Sequence, residues 1–411
     1  MVQITLEQVS KHLTVDIIDK VFKFKTNSED TIKAIGITRG ALAGEGLISA
    51  VYRIYVKGKQ HEATFIAKGL VSDMLLRKTL NCVSFFSREV TFFTKILPAL
   101  SKVQLSLGAK KRIQDYVPIC YGCHLDGNDD FIILQDLTEA QCVPLLTTPT
   151  KHDRDLALTT LAHFHAVSFA LRLKDAKEFH RITSYIDEFY YTEVNKNWYT
   201  KYLNNAIEIF KCVVDELEDP KSVYYKKFDD IAKSDVFGQI MDLISEPGDH
   251  AVLNHGDAWL PNFMFTRKKA IIIDFQLLRY GSPAFDLSFF TLLCSNVCHT
   301  VEDFWEAIKV YYNAFQYYLD DMGIESDEVF SFKMLQEELS RFGRFGFLGA
   351  LSTIPLLASE RCDVMQTFHV EDSSLERIPL EVLWNLTPIK KEDQKICLIN
   401  ALHVAVDAGL I

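Results

Sequence analysis

Three residues in the second half of the chain have the types and the order that phosphoryl transfer needs. In LNHGDAWLPNFMF, a short basic turn and then AIIIDFQ, Asp257 is followed five positions on by Asn262 and twelve positions after that by Asp274. One carboxylate can orient a hydroxyl nucleophile. An amide oxygen and a second carboxylate can hold magnesium, which prefers hard oxygen ligands. Asp and Asn also favour turns for local hydrogen-bonding reasons, so a bare HGD tripeptide says little. The full spaced set, with strands between its two metal ligands, says more.

The local pattern supplies those strands. FMFT and AIIID are apolar, β-prone runs on either side of Arg267-Lys268-Lys269, which predicts a two-stranded hairpin. With the turn centred near Lys268, Asn262 and Asp274 fall opposite each other, their Cβ atoms about 4.5–5.5 Å apart. Two oxygen ligands at that spacing clasp one ion. A slip of one residue would send them to opposite faces. Asp257 lies in the loop leading in, which Pro261 stiffens.

A phosphoryl donor needs a cationic anchor. Lys68 sits late in the apolar strand HEATFIAKGL, where a lysine needs a partner. Glu89, on the amphipathic helix predicted over FFSREVTFFTKILPAL and ending near Pro98, is the best candidate, against the alternative of a solvated Lys68 and a Glu89 paired along its own helix. Gly44 and Gly46, just ahead of the strand ISAVYRIYVKG, would let backbone N–H groups approach phosphates, although two glycines more often mark a turn. ILQDLTE reads as a hinge whose backbone could bond an adenine ring. Asp136 there equally suits a helix cap. His165 reads as a satisfied core histidine and His255 as a support of the HGD loop. Asp286, opening the helix after Gly-Ser-Pro, reads first as a cap and second as a brace for that loop.

The rest of the chain must position these groups. At 411 residues, with 48% hydrophobic and 24% charged residues, it has globular values. The net charge of −11 argues against a nucleic-acid binder. The N-terminal residues lack the basic and apolar regions of a signal peptide, and FGFLGALSTIPLLA is too short to span a bilayer. Nine scattered cysteines fit a reduced, cytoplasmic setting. Cys120 and Cys123, with His124 adjacent, lack the second CxxC of a zinc site and read as buried thiols. Residues 1–137 mix strand and helix signals, and 138–411 are mainly helical apart from the hairpin. The expected fold class is therefore α+β and bilobal, with a small β-rich N-terminal lobe, a large helical C-terminal lobe and a ligand cleft between them.

HGDAWLPNFMF with IIIDFQLLRYGSPAFDLSFF, together with FSREVTFFTKILPAL and LAHFHAVSFAL, resembles the ecdysteroid kinase-like family of arthropods over about residues 42–357. That family lies within the choline-kinase-like group and shares the fold of aminoglycoside phosphotransferases and protein kinases. The resemblance implies ATP-dependent phosphorylation of a small-molecule hydroxyl. Asp257 would be the catalytic acid, Asn262 and Asp274 the Mg2+ ligands, and Lys68 with Glu89 the donor anchor. Gln276 departs from protein kinases, which carry glycine there. An aromatic-rich C-terminal part, from Trp305 to Phe347, would suit a lipophilic alcohol such as an ecdysteroid or xenobiotic. A choline- or ethanolamine-type acceptor, or a catalytically silent ligand-binding protein, are the alternatives. No nucleic acid partner and no membrane span are expected.

Overall fold

The structure, a computed structural model, describes residues 4–40, 48–145, 148–294, 296–359 and 376–411. The chain packs as two compact units. One is drawn from residues 1–101, 112–146 and 261–277, the other from 102–111, 147–260 and 278–411. These packed units interleave along the sequence, whereas a boundary at residue 137 divides the sequence itself. The hairpin expected to carry the metal ligands packs with the β-rich unit.

The strands among the described residues are β1 (Ile32–Arg39), β2 (Ser49–Gly58), β3 (Glu62–Leu70), β4 (Cys120–His124), β5 (Phe131–Gln135), β6 (Val143–Pro144), β7 (Val252–Asn254), β8 (Phe263–Phe265), β9 (Ala270–Ile272) and β10 (Arg279–Gly281). In the first unit five strands form an antiparallel sheet in the order β1-β2-β3-β5-β4. In β2, Tyr52, Ile54 and Val56 are buried while Arg53, Tyr55 and Lys57 are exposed, the period-two signature of a half-covered strand. That buried face, with Phe65, Ala67 and Ile133, packs on Val9, Leu13, Ile18 and Phe22 from the N-terminal helices. Lys68 pairs with Val51 and Ile132 and so points to the other face.

Two sequence expectations change here. β1 and the helix Val15–Thr26, capped by Thr14 at its start, were not foreseen by periodicity. The Glu89 helix does not stop near Pro98. It runs from Cys82 to Thr91, widens into a π-helical turn over Phe92–Ile96 and continues from Leu97 to Ser106. The widened turn shifts the hydrogen-bond ladder just where proline has no N–H to give, so the helix passes through.

The predicted hairpin exists as β8 and β9, extended by β6, and covers a small core of Leu137, Cys142, Met264 and Ile271. Its register corrects the sequence reading by one residue. Phe263 faces Ile272, and the Ile273 N–H donates to the Asn262 carbonyl at 3.0 Å. Asn262 therefore lies opposite Ile273, not Asp274, because the turn centre falls between Arg267 and Lys268.

The second unit is mainly helical. Its long helices are Lys151–Lys174, Glu193–Leu217, Val301–Asp321, Arg344–Ala358 and Glu392–Asp407. Lys151–Lys174 is the one helix among the described residues long and apolar enough to cross a membrane by length and composition, but 78% of that window is buried within the protein. It packs against Val301–Asp321. Of the aromatic residues in the C-terminal part, Tyr311, Tyr312, Phe315, Tyr318, Phe342, Phe345 and Phe347 are buried and pack these helices together. β7 and β10 form a separate antiparallel pair with Asn254 opposite Arg279.

Candidate active site

In the β-rich unit three predicted residues come together. Lys68 Nζ lies 2.8 and 3.0 Å from the two Glu89 carboxylate oxygens and 3.4 Å from Asp274 Oδ1. The Lys68 side chain is 11% exposed and that of Glu89 is fully buried, so this is not a solvated pair of helix and strand ends. Burial works against the charged lysine, but the carboxylates of Asp274 and Glu89 outweigh it and raise its pKa above the ordinary 10.5. Burial raises the proton affinity of Glu89, with Asp274 adding to it and Lys68 opposing. Two carboxylates thus compete for one ammonium, and a divalent cation on Asp274 would relieve that imbalance.

Asp274 is placed by its backbone. It lies just past β9 with φ of +67°, one of the few non-glycine residues in the left-handed region. Asp tolerates that conformation better than most residues. The turn re-aims the side chain that a one-residue register slip would otherwise have sent away, and brings it to Lys68. Phe275 next to it stacks on Phe92, ring centroids 3.5 Å apart, and meets Phe93 edge-on at 5.9 Å. Both partners belong to the π-helical turn one step beyond Glu89. Gln276 is buried, with its amide nitrogen 3.4 Å from Glu89 Oε2 and 3.5 Å from Ser49 Oγ. In place of glycine it supplies a long, weak donor to the acid that holds Lys68. Asn262 is buried at the end of the 3-10 turn Leu260–Asn262.

Two further predictions land differently. Gly44 and Gly46 lie outside the described residues. The Asp136 carboxylate accepts from the Thr138 N–H at 3.0 Å, capping the short turn Leu137–Ala140, and pairs with Arg53 at 2.8 Å. Its side chain is therefore occupied by capping, and any nucleotide contact of this segment would come from the backbone.

In the helical unit the HGD loop is held from behind. Asp286 is buried, and its oxygens accept the N–H groups of His255 at 2.6 Å and Gly256 at 2.9 Å. His165 Nε2 lies 3.2 Å from the same carboxylate and its Nδ1 bonds the Tyr311 hydroxyl at 2.9 Å. Asn254 donates to the Gly281 carbonyl at 2.9 Å, tying the loop base to β10. Gly256 has φ of +79°, a left-handed backbone that a residue without a Cβ adopts freely. Asp286 thus braces the loop, and its first reading as a cap is corrected: its acceptors are spent on backbone outside its own helix. His165 is the satisfied core histidine expected, and it also orients that brace.

Burial favours protonation of Asp286, but His165 and the Gly256 N–H outweigh it and hold its pKa below the ordinary 3.8. The folded value being the lower one, its contribution to stability is complete above pH 3.8 and drains away as pH falls below that. Asp286→Ala orphans two backbone donors and is expected to cost about 2–4 kcal/mol. Chemical denaturation at pH 7 and pH 3 checks this, since the difference between wild type and variant should shrink at the lower pH.

The sequence reading missed a cluster beside the loop. Arg279, opposite Asn254 in the ladder, is buried and pairs with Glu188 at 3.0 Å. Its guanidinium lies over the rings of Tyr191 and Phe345, each at 5.4 Å, and Tyr191 packs edge to face with Tyr190 and Tyr199, with Phe237 tilted against Tyr191 and Tyr199. A charged residue in the apolar context LLRYG was the available signal.

Comparison with known proteins follows the same lines. The sequence profile of the Ecdysteroid kinase-like family matches residues 43–324. No curated protein matches the chain significantly. Among solved structures, choline kinase from Cryptosporidium parvum Iowa II is similar at 11% identity, covering 92% of this chain and 91% of that one, with a TM-score of 0.41. Amicoumacin kinase, solved with AMP-PNP, Ca2+ and Ami, is similar at 14% identity, with coverage of 87% and 90% and a TM-score of 0.42. An aminoglycoside phosphotransferase from Alicyclobacillus acidocaldarius subsp. acidocaldarius DSM 446 is similar at 10% identity, with coverage of 90% and 91% and a TM-score of 0.42. No residue role follows from likenesses at this level.

Proposed function

We propose a function from one premise: the chain belongs to the Ecdysteroid kinase-like family, whose profile matches most of its length. The protein is a small-molecule kinase that transfers the γ-phosphate of ATP to a hydroxyl of a lipophilic alcohol, such as an ecdysteroid or a xenobiotic. The observation that carries this reading is the buried Lys68 held between Glu89 and Asp274. An ammonium in that position is an anchor for donor phosphates, and Asp274 and Asn262 would hold a divalent cation that would neutralise phosphate charge. The oxygen-only donor set fits Mg2+. Asp257 would direct the proton of the attacking alcohol, and the Asp286 brace would keep that acid from wandering.

The acceptor end rests on the cluster around Arg279. Its carboxylate, Glu188, is neutralised by Arg279, so the tyrosine-lined surface offers a quaternary amine no unpaired negative charge there. Apolar rings with phenolic hydroxyls suit a neutral, lipophilic alcohol better than choline. Tyr191→Ala is expected to raise the KM for the acceptor about tenfold, the cost of an aromatic contact and its buried area, while the KM for ATP stays put. An unchanged acceptor KM would move the acceptor elsewhere.

The test is direct. Purified protein is incubated with labelled ATP, Mg2+ and a panel of steroids, amino alcohols and plant phenols. Transfer to steroids or phenols supports the proposal. Transfer to amino alcohols alone would replace it with a choline-type activity. No transfer and no ATP binding would leave a silent ligand-binding protein.

A further inference from the structure

A second cluster of metal-type ligands lies in the β-rich unit, remote from Lys68 in sequence and unrelated to the phosphoryl-transfer residues. His12, His124 and Asp126 bring one ligand atom each within 4.8 Å of one another. His12 belongs to the turn that follows the first helix, Leu6–Val9. His124 ends β4, and Asp126 sits in the turn between β4 and β5. We propose that these three residues form a zinc site that staples the N-terminal turn to the β4 edge of the sheet.

Each ligand is held in place by something other than its neighbours in the cluster. Val9 and Leu13, on either side of His12, are buried in the core under the sheet. The His12 N–H donates to Ser10 Oγ at 3.1 Å, and that hydroxyl in turn bonds the Asp129 carbonyl. His124 is fixed by ladder pairing with Phe131. Asp126 Oδ1 accepts the N–H groups of Asn128 and Asp129 at 2.8 and 2.9 Å. Anchoring one oxygen this way leaves the other, Oδ2, aimed at the two imidazoles, the arrangement that orients a metal-binding carboxylate.

The geometry among the ligand atoms fits an ion. Oδ2 lies 2.7 Å from His12 Nε2 and 3.6 Å from His124 Nε2. Zinc bonds of about 2.0–2.2 Å in a tetrahedron put ligand atoms about 3.3 Å apart, between the two observed separations. At 3.6 Å the His124 contact is too long for a hydrogen bond. His124 Nε2 is closed off from solvent and has no hydrogen-bond partner among the described residues. A buried ring nitrogen left so is open to a ligand. The two rings sit 4.1 Å apart, tilted by 41°. Two imidazole nitrogens and one carboxylate select zinc over magnesium, and leave a fourth position for water.

The thiols of Cys120 and Cys123 are not part of this cluster. His124 is adjacent to them in sequence but takes its partners from the N-terminal turn. The topology shows what the ion would do. β4 is an edge strand, at the opposite side of the sheet from β1, and the metal would tie the turn between the first two helices to it.

The experiment uses the full chain without a polyhistidine tag, freed of metals by a chelator and kept in excess Mg2+. Zinc is titrated calorimetrically, and Co2+ serves as the spectroscopic probe. The expected result is one Zn2+ per chain, a tetrahedral Co2+ absorption that Zn2+ abolishes, and a higher Tm with Zn2+. His12→Ala and His124→Ala should each weaken binding on the order of 100-fold or more and remove the Co2+ band, while Cys123→Ser leaves both unchanged. His12 lies on an exposed turn, so His12→Ala keeps the fold even where His124→Ala does not. Equal zinc affinity in wild type and His12→Ala, or no zinc binding by the wild type, overturns the proposal.

Discussion

Asp257→Asn is expected to lower kcat by on the order of 10²–10⁴-fold, the range in which a positioned general base contributes, with the KM for ATP little changed. The substitution keeps the shape of the side chain and removes its charge. The loop that carries it is held by Asp286, His165 and Asn254, so the variant should melt with the wild type. Steady-state kinetics with the best acceptor from the panel, beside a thermal melt, checks both halves. A variant with full activity would show that Asp257 is not the acid that directs the hydroxyl.

Asp274→Ala and Lys68→Met are both expected to cripple turnover, the first through the proposed metal ligand and the second through the proposed phosphate anchor, and to part company in stability. Removing Asp274 would take away the proposed metal ligand, which would be worth several kcal/mol of charge stabilisation, on the order of a 10³-fold loss. In the metal-free protein it also removes one of two carboxylates that compete for a single ammonium. That variant should unfold no more easily than wild type without Mg2+, and Mg2+ should no longer strengthen nucleotide binding. Lys68→Met does the reverse. It leaves the buried Glu89 and its neighbour Asp274 facing each other without a cation, and breaking a buried pair in this way costs about 3–5 kcal/mol. The sign with pH follows from the raised lysine pKa. Its contribution is complete below the ordinary 10.5 and is lost only as pH rises through the higher folded value. Across neutral pH the lysine's own contribution is therefore flat, and any slope in the Lys68→Met deficit comes from Glu89, whose proton affinity, already raised by burial, rises further without Lys68, so the deficit should shrink as pH falls. Denaturant melts of the two variants, with and without Mg2+, separate the roles. Equal destabilisation by both would contradict the charge imbalance.

The parts of this site that a reader of the sequence can find are those fixed by short-range pattern. Lys68 in an apolar strand and Glu89 on the next predicted helix point to each other because the strand and helix periods are strong on both sides. The hairpin over 263–272 is legible for the same reason. What is not legible depends on a fraction of a turn or on distant pairing. The hairpin register turned on whether the turn centre fell on Lys268 or half a residue before it. The left-handed backbone at Asp274, which rescues the geometry, has no sequence mark beyond the residue being an aspartate. Pro98 stops helices as a rule, and only the π-helical turn before it explains why it does not here. β7 and β10 are three residues each, too short to show a period, and their pairing makes Asp286 a brace where its local sequence suggests a cap.

That pairing has a consequence for chain length. Asn254 opposite Arg279 closes a noose, and Asp257, Asn262 and Asp274 are all threaded on it. The knot is tight: a methyl group on Gly281 would come within 2.4 Å of the Phe285 ring. Residues added between Asp257 and Asn262, or between Asp274 and Arg279, would lengthen the segments that carry the proposed site residues. Residues added at Arg267-Lys268 only lengthen the far end of the hairpin. Insertions and deletions in this region should therefore be borne at the basic turn and nowhere else on the noose.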